Sequence, residues 1–180
     1  MNLKGKGFLK DIGLKEDDFL LDFGCGHGNY TIPSSHLVGK NGRVYSVDKN
    51  KQPLDNLKLR IRGKKLNNIE IMQIEDYANL PFSDRHLDFI LLYDVFHLID
   101  DRKKLLLEMH RILKNKGVMS IYPKHHDTEM NMSLDEVINE IESNYFILDK
   151  KISKKLIHDD KIEDGIVLNF KKKIHISKFF

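Results

Sequence analysis

Hydrophobic positions along the chain fall into two recurring patterns: short unbroken runs of Ile, Leu, Val and Phe, and longer stretches where apolar residues return every three or four places. The first pattern marks strands covered on both faces, and the second marks helices with one buried stripe. On that basis Phe19–Phe23, Val44–Val47, Ile69–Gln73, Leu87–Tyr93 and Val118–Tyr122 are predicted strands. Between them, Pro53–Lys65 carries Leu54, Leu57, Leu59 and Ile61 at approximate helical spacing, and Asp101–Leu113 carries Leu105, Leu106, Met109, Ile112 and Leu113 in a clearer stripe. Gly63 stands near the end of the first of these helices. Lys114-Asn115-Lys116-Gly117 supplies the cations and the glycine that close the second.

Strands that alternate with helices predict an α/β domain, a parallel sheet with helices on both faces. Tyr30–Val38 can be helical with Pro33 in the first turn, where proline costs little. Ser133–Ile141 reads as a helix with Ser133 as N-cap and Glu136 completing a capping box. Phe8, Leu9, Ile12 and Leu14 fit one short helix ahead of the first strand. Two strand-like runs remain, Phe146–Ile157 and Ile166–Ile176, joined by the polar stretch His158–Gly165. They are expected to pair as an antiparallel hairpin at the sheet edge, making seven strands in all. No linker divides the chain, so residues 1–180 are expected to form one domain. A regular hairpin edge can also pair with a second copy, so a homodimer is a possible partner state.

Composition narrows the classes. The 180 residues suffice for one sizeable core without disulfides or structural metal. Charged residues make up 32% with both signs mixed, and the net charge is +3, which argues against a disordered polyelectrolyte and a strongly basic nucleic-acid binder. Cys25 is the only cysteine, and no Cys/His spacing resembles a zinc site. A reducing, cytoplasmic setting fits. The N-terminus lacks a segment of signal-peptide type, and no apolar run approaches the roughly 20 residues that span a bilayer. The basic run Lys171-Lys172-Lys173 reads as a solvated surface.

Candidate chemistry centres on Asp22-Phe23-Gly24-Cys25-Gly26-His27-Gly28, a glycine-rich turn between the first strand and the next helix. Glycines there let the backbone bend tightly and approach a ligand with no Cβ in the way. A dinucleotide fingerprint requires glycine at the sixth position from Gly24, which is Asn29, and a phosphate-binding Gly-Lys-Ser/Thr is absent. Asp48 closes the second strand about 20 residues further on, where an acid in this kind of fold accepts hydrogen bonds from ribose hydroxyls. A third acid, Asp76, follows the third strand in the matching place. Taken singly, Asp48 and Asp76 are equally compatible with turn roles, and Cys25 with a small buried filler.

Together these residues resemble the class I S-adenosylmethionine-dependent methyltransferases, and in particular the small type 11, UbiE-like group. The resemblance is carried by the glycine turn, by "VYSVDKN", by "EDYANLPFSDRHLDFI", by "LLYDVFHLID" and by "EMHRILKNKGVMSI", in that order, over residues 8 to 175. It implies a Rossmann-like, seven-stranded, mostly parallel sheet with S-adenosyl-L-methionine as cofactor. The cofactor residues it implies are Asp22, Gly24, Gly26 and Gly28 in the turn, Asp48 at the ribose, and Asp76 with Tyr77 at the adenine. Tyr93 would touch the methionine part through its carbonyl, and Tyr30 would shape the same pocket. Family members often follow the ribose acid with an apolar residue over the adenine; here Lys49 stands there, and its aliphatic stem can serve. Short segments at the N-terminus and after the fifth strand leave no large substrate-recognition domain, which implies a small-molecule acceptor.

Methyl transfer from a sulfonium is an in-line displacement that asks for alignment and exclusion of water. An acceptor that must lose a proton needs a base as well, and His97 after the fourth strand is the first candidate because imidazole titrates near neutral pH. The alternative for His97 is a packing role at a helix start. His125 and His126 are adjacent, poor geometry for one metal, so no metal is expected. His36, His86, His110, His158 and His175 are spread over predicted surfaces. Arsenic methylation would need several cysteines, and amino-methylation of nucleic acids an Asp/Asn-Pro-Pro-aromatic run, and both are missing. Two other classes stay open: a non-catalytic methyltransferase-like scaffold, and a nicotinamide-dependent oxidoreductase, against which Asn29 counts.

Overall fold

Four of the five short apolar runs, Val44–Val47, Phe19–Phe23, Leu87–Tyr93 and Val118–Tyr122, lie side by side inside the sheet, while Ile69–Gln73 forms its edge with no fully buried residue. The computed structural model describes residues 4–123, 132–158 and 161–173. Strands β1 (Phe19–Phe23), β2 (Arg43–Asp48), β3 (Ile69–Gln73), β4 (Leu87–Tyr93), β5 (Leu113–Tyr122), β6 (Phe146–His158) and β7 (Lys161–Lys172) form one sheet in the order β3-β2-β1-β4-β5-β7-β6. The first five run parallel and β7 is antiparallel to both β5 and β6. β1 lies between β2 and β4, with Leu20 opposite Val44 on one side and Phe89 on the other. Chain order reverses there, which opens a crevice beyond the carboxyl ends of the strands.

The helices are α1 (Lys4–Asp11), α2 (Thr31–Val38), α3 (Lys51–Lys64), α4 (Arg102–Ile112) and α5 (Leu134–Glu142). Period-2 alternation along β4 divides the core: Ile90 and Leu92 join the stripes of α4 and α5, while Phe89, Leu91 and Tyr93 join Leu9 and Ile12 of the N-terminal segment and Val38 of α2. Each fully buried Leu or Ile contributes about 1.5–3 kcal/mol, so this two-sided packing holds the strand ends in place. Local signals agree. Ser133 and Glu136 make the reciprocal capping box, and Asp101 caps α4 by accepting the Lys104 amide. Asn169 of β7 donates Nδ2 to the Ile12 carbonyl at 2.7 Å and ties the N-terminal segment to the sheet.

Four expectations need correction. The run Lys171–Lys173 is not wholly a solvated surface, because strand alternation turns Lys172 to the covered face, where it is only 8% exposed. Lys114–Gly117 is not a helix-ending turn: β5 starts at Leu113 directly after α4, with an irregular register between Leu87 and Phe89 of its partner strand. Gly117 is required there because a Cβ would lie 2.9 Å from the Asp88 carbonyl. The polar stretch His158–Gly165 is mostly ladder, since His158 pairs with Lys161 and Lys154 with Gly165. Gly165 leaves room for the ring of Tyr122, which would meet a Cβ at 2.6 Å. Nor are all the histidines on the surface: His86 is half-buried against Phe82 and shares a hydrogen bond with Tyr45, and His110 packs on Tyr145 and Phe146. His125, His126 and His175 lie outside the described residues.

Candidate active site

The glycine turn follows β1 directly, and neighbouring strands hold it. The amides of Gly24 and Cys25 both donate to the Val47 carbonyl, at 2.8 and 3.0 Å, and the amide of Gly26 donates to the Asp48 carboxylate at 2.9 Å. The second Asp48 oxygen accepts the Asn50 amide at 2.8 Å. Gly24, Gly26 and Gly28 all have positive φ, and their surroundings differ. A Cβ on Gly24 would strike Val95 at 2.6 Å and one on Gly28 would strike Leu57 at 2.3 Å, whereas Gly26 has nothing within 4 Å. Two glycines therefore exist for packing, and the middle one faces open space. Arg60 of α3 donates to the His27 carbonyl and steadies the outer end of the turn.

Above these strand ends lies a cavity of about 380 Å3, a size typical of small-molecule sites. Phe23 and Gly24 form its floor, Asp48, Lys49 and Asn50 one wall, Ile74, Glu75 and Tyr77 a second. The wall after β4 is Asp94, Val95, Leu98, Ile99 and Asp100. Four carboxylates thus face one ammonium, a lining that suits a cation bearing hydroxyls and repels a pyrophosphate. Tyr77 is fixed by its hydroxyl, which accepts the Asp101 amide at 3.2 Å. Asp94 sits in the left-handed region, φ 56°, with its amide bound to the Tyr122 carbonyl. Backbone held in such a sparsely populated region tends to cluster at functional sites.

The remaining predicted residues are arranged around this cavity without lining it. Asp22 is buried and accepts the Thr31 hydroxyl at 2.6 Å; Thr31 in turn accepts from Ser46 at 3.1 Å. Burial, with a smaller push from Asp48, raises the Asp22 carboxyl to about 6, against the hydrogen bond from Thr31. The Cys25 thiol is driven far up by burial and stays protonated. Tyr93 is buried with its hydroxyl 2.8 Å from that of Ser120, and Tyr30 packs edge-on against it, ring centroids 4.8 Å apart. Asp76 is exposed and accepts the Ala78 amide at 2.8 Å as a turn residue. His97 lies on the short 3-10 helix Phe96–Leu98, whose neighbours Val95 and Leu98 line the cavity while His97 does not. Sequence reasoning missed Thr31 and Ser46, because two hydroxyls on different elements carry no local signal. Glu75 and Asp100, which line the cavity, stand inside quoted motifs without being singled out.

The profile of the methyltransferase domain family matches residues 21–121, more than half of the chain. This chain belongs to that family. A demethylmenaquinone methyltransferase of Lactobacillus johnsonii is 33% identical over 116 residues, covering 64% of this chain and 48% of that protein. The corresponding enzyme of Staphylococcus saprophyticus is 31% identical over 114 residues, covering 63% of this chain and again 48% of the relative. The chain therefore spans about half the length of the curated relatives it matches. Among solved structures, a SAM dependent methyltransferase from Aquifex aeolicus superposes with a TM-score of 0.80 at 23% identity, over 94% of this chain and 89% of that one. That likeness extends the fold match through β6 and β7, beyond the residues the family profile covers.

Proposed function

We propose that the protein is an S-adenosylmethionine-dependent methyltransferase acting on a small-molecule acceptor. The observation that carries this reading is the cavity at the β1/β4 switch point, bounded by bare backbone at Gly24 and by the Asp48 carboxylate. The donor set fits the cofactor: carboxylates suit a sulfonium, an ammonium and ribose hydroxyls, and the lining holds four of them against one ammonium. When bound, the cofactor supplies an electrophilic methyl group.

In this reading Asp48 orients the ribose while its other contacts hold the turn. Lys49 and Tyr77 flank the adenine, and Asp76, next to Tyr77, reaches the adenine edge from outside the cavity. Gly24, Gly26 and Gly28 keep the floor close to the ligand, Asp22 anchors the start of α2 beneath it, and Tyr93 with Tyr30 supports the methionine end. His97 is the candidate base for an acceptor that loses a proton, on the segment whose Val95 and Leu98 line the cavity. The demethylmenaquinone methyltransferases among the relatives make demethylmenaquinone the first acceptor to assay. We further infer one domain for the chain, a cytoplasmic setting, no nucleic-acid substrate, and homodimerisation through the β6 edge. In support of the setting, no helix among the described residues is long and apolar enough to cross a membrane.

The test is thermal stabilisation by S-adenosylhomocysteine followed by transfer of labelled methyl from S-adenosylmethionine to an acceptor panel. Stabilisation with turnover supports the reading. Binding without turnover on any acceptor favours the scaffold alternative, and stabilisation by NAD in place of the nucleoside overturns both.

A further inference from the structure

A second hollow, of about 540 Å3, opens where β4 and β5 begin, at the opposite ends of the parallel strands from the Asp48 cavity. Asp84 and Arg85 ahead of β4, Arg111 in the last turn of α4, and Lys172 and Lys173 at the end of β7 contribute its charges. Four basic side chains face one carboxylate, and that carboxylate is engaged: Asp84 lies 2.9 Å from Arg111. Arg111 is saturated, donating also to Glu108 and to the carbonyls of Leu80 and Phe82. Lys173 donates its ammonium to the Glu142 carbonyl.

Lys172 and Arg85 differ from these. Lys172 is only 8% exposed, lines the hollow, and has no side-chain hydrogen bond or ion pair among the described residues. The Arg85 guanidinium is likewise without a partner there, while its backbone amide is held by the Arg111 carbonyl at 2.9 Å. Burial and the charge of Arg85 depress the Lys172 ammonium below its ordinary value, and Asp84 opposes them. The one carboxylate near Lys172, Asp84, is already paired with Arg111, so an anion that enters the hollow meets a largely buried lysine whose ammonium has no hydrogen-bond partner among the described residues.

We propose that this hollow binds a phosphate-bearing small molecule, with its anionic oxygens held between Lys172 and Arg85. A guanidinium fork takes two phosphate oxygens and an ammonium acts as a point charge on the third. A phosphate group brings three acceptor oxygens and nearly two charges, which matches two free cations better than a monocarboxylate does. The volume leaves room for more than one phosphate group. The site is separate from the Asp48 cavity and independent of what that cavity binds.

The test is calorimetric titration of the full chain with inorganic pyrophosphate, with ATP, and with phosphatidylcholine vesicles containing phosphatidylglycerol. Each titration is repeated on Lys172→Met and Arg85→Gln, with S-adenosylhomocysteine as the control for the other cavity. The proposal predicts saturable binding of pyrophosphate or ATP, weakened about tenfold or more by each substitution, with the control unchanged. It also predicts that ligand-free Lys172→Met melts above the wild type, since the substitution removes an unpartnered charge. Arg85 is exposed, so Arg85→Gln keeps the test open if the buried variant does not fold. Binding to vesicles alone, soluble-phosphate binding that both substitutions leave intact, or no binding would each overturn the proposal.

Discussion

The Asp48 carboxylate lies 2.9 Å from the amide of Gly26, so the end of β2 clamps the middle of the glycine turn from 22 residues away in sequence. One side chain both shapes the turn and borders the cavity. Asp48→Ala removes both contributions. The expected loss of S-adenosylhomocysteine affinity is about 1–3 kcal/mol, the cost of leaving buried polar partners unpaired. Calorimetric titration of the variant checks it, and unchanged affinity would remove Asp48 from the ribose.

The glycines of the turn separate stability from binding. Gly28→Ala forces a Cβ to 2.3 Å from Leu57 at a φ of 79°, so overpacking adds to left-handed strain. A loss of about 2–4 kcal/mol in unfolding free energy is expected. Gly26→Ala meets nothing within 4 Å and carries only the backbone term, about 1–2 kcal/mol, yet it places a methyl group in the open space over the turn. Denaturant melts and ligand titration on both variants should show Gly28→Ala as the less stable and Gly26→Ala as folded but poor at binding.

Asp22 gives a pH dependence with a definite sign. Its folded value, about 6, lies above the ordinary 3.8, so the native state holds the proton more tightly than the unfolded chain does. Native stability from this group is full below the unfolded value and declines as pH rises from about 4 to about 6, a total of about 3 kcal/mol. Asp22→Asn still accepts the Thr31 hydroxyl but does not titrate. Urea midpoints across that window should show the wild type losing stability relative to the variant as pH increases; parallel profiles would contradict the burial argument.

Glu108 holds the connection between β3 and β4 against α4. It is 4% exposed, accepts the Leu80 amide at 2.7 Å and pairs with Arg111 at 2.6 Å. Glu108→Ala leaves the Leu80 amide and two of the Arg111 N–H groups unanswered and should cost about 3 kcal/mol. Because the same connection carries Tyr77, thermal melts of this variant should also show a smaller stabilisation by S-adenosylhomocysteine.

Much of this arrangement was legible before any coordinates. The runs Phe19–Phe23 and Leu87–Tyr93 match the observed strands residue for residue, because strands buried on both faces need unbroken apolar sequence, and Ile69–Gln73 matches as well, an edge strand marked by alternation of apolar and polar residues. The β6–β7 turn and the start of β5 were not legible: at a sheet margin, polar residues such as Lys114 and Glu163 satisfy the ladder as well as a loop. The spacing from the glycines to Asp48 anticipated a real contact. The contacts of Gly24 with Val95 and Gly28 with Leu57 join side chains far apart in the chain, and no local pattern encodes them. Asp76 illustrates the opposite limit, a motif match whose side chain accepts the Ala78 amide of its own turn.

Crystallisation with S-adenosylhomocysteine tests the central claim most directly. The account predicts the nucleoside in the cavity after β1, with sugar hydroxyls on Asp48, the purine between Lys49 and Tyr77, and the sulfur beside Gly24. A nucleoside bound elsewhere, or a cavity closed by the chain's own side chains under saturating ligand, would contradict it.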